Sequence, residues 1–135
     1  MTLNGTWINE YGSEMQLKVD ETGLITGSYK STTGATGTYR VVGVSDAEPV
    51  NGVQTMAFCI SWRPEISTEV NESDNGSASD DPVHWCSGFT GRLYRNENNI
   101  DELSTTYLLT RNSDMAHQWE STVVDKCTYH RAGNN

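Results

Sequence analysis

Apolar side chains along this chain recur at every second position over short runs, and no stretch holds the three-and-four spacing of a sustained amphipathic helix. Period-two segments fall near residues 5–12, 15–20, 24–30, 37–45, 54–63, 84–94, 102–111 and 119–130. Between them lie turn-forming clusters: YGSE, DETG, STTGATG, SDAEPVNG, RNENN and RNSDMAHQ. Successive short strands with mostly short connections predict an all-β protein, an eight-stranded antiparallel up-and-down β-barrel. Closure of the sheet also removes the exposed edges that such strands would otherwise present. Helix is not expected beyond a turn or two.

One connection breaks the pattern. Residues 64–83, PEISTEVNESDNGSASDDPV, are acidic, rich in Ser and Asn, poor in apolar residues and without a basic one. Such a composition has nothing to bury, so the segment reads as a long solvated loop inserted into a single barrel domain spanning 1–135. Its carboxylates lack the oxygen-ligand spacing of a calcium-binding loop, and no metal is expected there.

The strand phases raise a question about the interior. In GTWINEYGSEM, residues 5–15, a continuous strand would put Trp7, Asn9, Tyr11 and Ser13 on one face. Three polar side chains would then enter the core with a tryptophan, and each would need a hydrogen-bond partner. Further along, Tyr29 shares a phase with Ser31, Trp85 with Ser87 and Phe89, and Tyr107 with Leu109, while Trp62 ends the fifth segment. Aromatic walls with a few small polar groups describe a pocket for a compact ligand with one polar end. The plainer interpretation is an aromatic core with incidental hydroxyls. For the set as a whole it leaves several buried donors and acceptors with water as their only partner.

Composition narrows the candidates. A net charge of −9 opposes binding to nucleic acid or anionic membrane, both of which need basic patches. No apolar run is long enough to span a bilayer, and no signal-peptide core is present. A hydrophobic share of 35% with 12 glycines suits a turn-rich β-protein. Cys59, Cys86 and Cys127 show no CxxC spacing and leave two readings open, one disulfide with a free thiol or three buried structural thiols; the second is the expectation. His84 with Cys86 and Cys127 with His130 are sparse pairs for a metal, and His117 stands alone. No metalloprotease helix, phosphate loop, nucleophile elbow or carboxylate pair suits catalysis, so no reaction is assigned and no cofactor is expected.

Taken in order, GTWINEYGSEM, GLITGSYKS, CISWRP, GFTGRLY, TTYLLTR and WESTVV resemble the avidin and streptavidin family from about residue 5 to 130. The resemblance implies an eight-stranded barrel that binds biotin without catalysis, is secreted and assembles as a homotetramer. Position by position, it implies that Asn9, Ser13 and Tyr29 donate to the ureido oxygen, a role their amide, hydroxyl and phenol suit. Ser31 and Cys127 stand where ureido N–H groups are accepted. Trp62, Phe89, Tyr107, Leu109 and Ser87 would line the ring system, with Trp119 supplied by a neighbouring subunit. Thr33, Gly34, Ala35 and Thr36 of the STTGATG loop, with Trp85, would meet the carboxylate end. Cys127 replaces an Asp or Asn, Trp85 replaces a Ser, and Tyr11 replaces an aliphatic residue, so altered ligand strength is expected. An avidin-like carrier of another small cyclic or apolar ligand is the alternative. An enzyme using Cys127 as nucleophile lacks a base in the sequence.

Overall fold

A computed structural model describes residues 2–32, 37–62, 85–111 and 122–133. Eight strands form one closed antiparallel barrel in sequence order, and no helix occurs among the described residues. The strands are β1 (Gly5–Asn9), β2 (Glu14–Val19), β3 (Leu24–Ser31), β4 (Gly37–Ser45), β5 (Gln54–Ser61), β6 (Trp85–Arg95), β7 (Asp101–Arg111) and β8 (Thr122–Arg131). Each pairs with its sequence neighbour, and β1 closes on β8 through Trp7–Arg131, Ile8–His130 and Asn9–Tyr129. The expected acidic loop 64–83, His84 and His117 lie outside the described residues.

Alternation decides what enters the barrel. On β5, Gln54, Met56, Phe58 and Ile60 point inward while Thr55, Cys59 and Ser61 face out. The expectation of buried structural thiols is therefore corrected for two of the three. Cys59 falls between Phe58 and Ile60, and Cys86 directly precedes the buried Ser87, so both sit on the outer phase; only Cys127 is buried, and all three are free. Glycine permits a close strand contact. A Cβ on Gly43 would lie 2.1 Å from the Ala57 carbonyl oxygen and 2.5 Å from Phe58 Cβ, so β4 approaches β5 closer than any side chain allows.

The first segment also departs from expectation. β1 stops at Asn9 instead of continuing to residue 12, because the chain turns there. Gly12 N donates to Asn9 O at 3.0 Å, Asn9 N to Ser13 O at 3.1 Å, and Gly12 adopts φ 83°. This turn throws Tyr11 outward, 57% exposed, and returns Ser13 to the interior. Of the polar face expected in the core, Asn9 and Ser13 are there and Tyr11 is not.

One end of the barrel is plugged. Trp7 is fully buried, its Nε1 donates to Leu3 O at 2.9 Å, and the Arg131 guanidinium lies 4.4 Å from its ring centroid. Arg131 is held by Asp101 at 2.9 Å and donates to Asn4 O and Thr2 O, which ties the N-terminal segment across this end. At the opposite rim lies the Asn9–Ser13 turn. There too the chain leaves and re-enters the described barrel at Thr32 and Gly37, Trp62 and Trp85, and Arg111 and Thr122.

Candidate functional site

Beneath that rim the interior turns polar. Asn9 lies at the end of β1, and its Oδ1 accepts the backbone N–H of Tyr11 at 3.0 Å and of Ser13 at 2.9 Å. Two backbone donors on one atom settle the amide orientation: oxygen toward the turn, NH2 toward the interior. The Nδ2 donates to Tyr29 OH at 3.3 Å and faces Cys127 Sγ at 4.0 Å. Ser13 Oγ accepts from Thr32 N at 3.2 Å and lies 3.3 Å from Thr32 Oγ1, whose own proton goes to Tyr11 O at 2.8 Å. The serine hydroxyl also contacts Tyr29, so its proton can turn either to Thr32 or to the phenol.

Tyr29 projects from β3 into the same region, and its hydroxyl lies 3.0 Å from that of Tyr129 on β8. Tyr129 is 0% exposed. Burial raises the pKa of Tyr29, Tyr129, Tyr39 and Tyr107 above the ordinary phenol value, so all four are neutral at physiological pH. The Cys127 thiol is pushed up to about 11 by burial, with the Glu10 charge adding to it, and is likewise neutral. No charged residue appears among the buried side chains described, so the polar end is a convergence of neutral donors.

Aromatic rings form the remaining wall. Trp62 makes edge contacts with Tyr29 at 5.2 Å and Tyr39 at 5.0 Å, and its Nε1 donates to Ser87 Oγ at 2.7 Å. Phe58 stacks on Phe89 at 4.6 Å, and Phe89 meets Tyr107 at 5.1 Å. Register pairs Ser87 with Leu109 and Phe89 with Tyr107, so these four share the inner phase. Nearest the rim, Trp85 pairs with Arg111, whose guanidinium carbon lies 5.5 Å from the Trp85 centroid.

The sequence-derived residues therefore divide by position. Asn9, Ser13, Tyr29 and Cys127 come together in one polar cluster; Ser31 is buried on the inner phase of β3, two residues above Tyr29. Trp62, Ser87, Phe89, Tyr107 and Leu109 lie along the aromatic side, and Trp85 lies at the rim. Thr33, Gly34, Ala35, Thr36 and Trp119 lie outside the described residues. Sequence reasoning passed over Tyr129, Tyr39, Phe58 and Arg111. Each has the parity of a recognised neighbour: Tyr129 is two residues from Cys127, and Arg111 two from Leu109. Among the described residues no group of three or more His, Cys, Asp or Glu is arranged to hold a metal ion.

The chain matches the family model described as the Avidin family over residues 1–132.

Proposed function

Because the chain belongs to the avidin family, we propose that it binds biotin, or a closely related cyclic urea, inside the barrel and without catalysis. The observation that carries this reading is the Asn9 amide, locked by two backbone donors so that its NH2 faces Tyr29 and the interior. The ureido carbonyl enters that cluster and accepts from Asn9, Ser13 and Tyr29. In a dry, neutral surrounding such bonds are strengthened and polarise one another. Ser31 accepts one ring N–H. The bicyclic ring lies against Trp62, Phe89, Tyr107, Leu109 and Ser87, and Trp119 of a neighbouring subunit covers it. Residues Thr33, Gly34, Ala35 and Thr36, with Trp85 and the Arg111 cation at the rim, receive the carboxylate.

Cys127 lowers the affinity. A neutral thiol accepts hydrogen bonds poorly, so the second ring N–H is left under-satisfied. Such a loss in a buried site costs about 1–3 kcal/mol, one to two decades. The same residue favours the second reading, an avidin-like carrier for a cyclic ligand with a carbonyl but fewer N–H donors.

Assembly as a secreted homotetramer belongs to the proposal as well. It draws support from an uncharged row across the outer wall, in which Val42, Cys59, Gly88, Leu108 and Val124 lie side by side on β4 to β8. Exposed valine and leucine in a chain of net charge −9 suit burial against another copy. Calorimetric titration with biotin tests the ligand, and absence of both heat and thermal shift at millimolar biotin refutes it. Sedimentation tests the assembly, and a monomer or a dimer at micromolar concentration refutes that part.

A further inference from the structure

Tyr129 has no role in the recognition described so far, yet it is the most deeply buried polar tip beside it. We propose that Tyr129 is a positioning residue: its hydroxyl donates to Tyr29 and so turns the Tyr29 proton into the barrel toward a ligand carbonyl. The inference rests on the biotin reading and assigns a residue that reading leaves out.

Counting lone pairs and protons supports it. The Tyr29 oxygen already accepts from Asn9 Nδ2 at 3.3 Å, and the Asn9 amide cannot flip, because its oxygen serves two backbone N–H groups. The second contact of Tyr29 is with the Tyr129 hydroxyl at 3.0 Å. This bond can run in either direction. If Tyr29 donates, its proton is consumed in the wall and the chain of hydroxyls runs on toward Cys127, whose thiol also contacts Tyr129. That direction ends on sulfur, a weak acceptor. If Tyr129 donates, Tyr29 accepts twice and its own proton turns away from the wall, toward the interior and the neighbouring Ser13 hydroxyl that also contacts it. A carbonyl oxygen is a far better terminus than a thiol, so ligand entry selects the second direction.

Cys127 thereby acquires a function that its poor acceptance of a ligand N–H conceals. A thiol that offers little pull on the Tyr129 proton leaves that proton free for Tyr29. A carboxylate at the same position would capture it and reverse the chain.

The experiment is a double-mutant cycle on biotin affinity with the wild type, Tyr29→Phe, Tyr129→Phe and the combined variant. Tyr129→Phe removes one oxygen and keeps the ring that packs edge-on to Tyr29 at 6.4 Å. It is expected to weaken biotin about three- to tenfold, the scale of one neutral hydrogen bond. In the Tyr29→Phe background the same change should alter affinity less than about twofold, a coupling that a purely structural role would not produce. Equal losses in both backgrounds, or no loss in the first, overturn the proposal. A second cycle adds Cys127→Asp. Its gain in affinity should be about three- to tenfold larger in the Tyr129→Phe background, because there is no Tyr129 proton for the carboxylate to divert. An equal gain in both backgrounds counts against the proposal. If the wild type itself binds no biotin, the biotin reading fails and takes this inference with it. If it binds and the cycles are additive, only the inference fails.

Discussion

Asn9 performs two tasks with two ends of one amide, and a pair of substitutions separates them. Its Oδ1 closes the turn by accepting from Tyr11 N and Ser13 N, while its Nδ2 faces Tyr29 and the barrel interior. Asn9→Asp keeps the acceptor and removes the donor. Asn9→Ala removes both. In the alanine variant the Ser13 N–H, on a fully buried residue, loses a 2.9 Å bond, and the exposed Tyr11 N–H falls back on water. The cost is about 1–3 kcal/mol, nearly all from the buried donor. For a domain of this size that corresponds to a fall in Tm of roughly 3–12 °C. Asn9→Asp should unfold within a few degrees of wild type at neutral pH. Its carboxylate nevertheless opposes a ligand carbonyl where an N–H stood, so biotin affinity should drop by at least two decades, about 3 kcal/mol. The sign with pH follows: protonation restores an O–H donor, so affinity for this variant rises as the pH is lowered through that carboxyl's titration. Scanning calorimetry without ligand and titration with biotin between pH 4 and 8, as an assay range of about four units, separate the two effects. An aspartate variant that binds like wild type, or an alanine variant of unchanged Tm, would refute the division of labour.

Gly43→Ala should abolish soluble folding or lower Tm by more than about 10 °C, because its Cβ would lie 2.1 Å from a backbone oxygen on β5; a normal melting curve contradicts the close approach. At the plugged end, burial pushes the Asp101 carboxyl up, but bonds from Arg131 and Arg95 outweigh it and hold the group below its ordinary value. A depressed folded value stabilises above the unfolded one and is lost as pH falls through it. Asp101→Asn should therefore destabilise at pH 7 by about 1–3 kcal/mol and converge with wild type in acid; a pH-independent difference in denaturation midpoint refutes this. Arg111→Gln should weaken biotin severalfold, about 1 kcal/mol, and leave the uncharged biotin amide unaffected. Equal effects on acid and amide in competition titrations would show that Arg111 does not meet the carboxylate.

Much of this architecture was legible because a closed barrel has one interior, so period two converts directly into inside and outside. Trp7 and Asn9, Tyr29 and Ser31, and Ser87 and Phe89 all enter as their spacing implied, while Ser13 enters because the turn returns it. What failed did so for identifiable reasons. Tyr11 kept the strand parity on paper, but the Asn9 side chain substitutes for the next ladder bonds and ends the strand two residues before it. Cys59 and Cys86 were assigned by residue type, which favours burial, when the apolar neighbours Phe58, Ile60 and the buried Ser87 already put them on the other face. Tyr129 was lost among apolar positions, since a pattern that counts tyrosine as hydrophobic does not register its hydroxyl. Which hydroxyl faces which is a matter of three dimensions: β3 and β8 are not neighbours in the sheet, and only closure across the interior joins Tyr29 to Tyr129.

The two ends of the Asn9 amide are held unequally. Its Oδ1 takes backbone N–H groups at 2.9 and 3.0 Å, while its Nδ2 reaches Tyr29 OH at 3.3 Å and Cys127 Sγ, a weak acceptor, at 4.0 Å. Other side-chain bonds of the site do not share that weakness: Trp62 Nε1 to Ser87 Oγ is 2.7 Å and Tyr29 to Tyr129 is 3.0 Å. On the proposed reading an entering carbonyl would give the Asn9 NH2 a better partner, and little reorganisation would oppose it, because the amide orientation and the turn are already set. The lower half of the barrel allows this arrangement. Trp7, Leu17, Ile25, Leu93 and Leu103 form an apolar core there, so the fold does not depend on the polar half for its burial. It follows that substitutions in the two halves should differ in kind: those around Trp7 act on stability, and those on the Tyr29 and Tyr129 hydroxyls act on ligand affinity, with Asn9 the residue at which both meet.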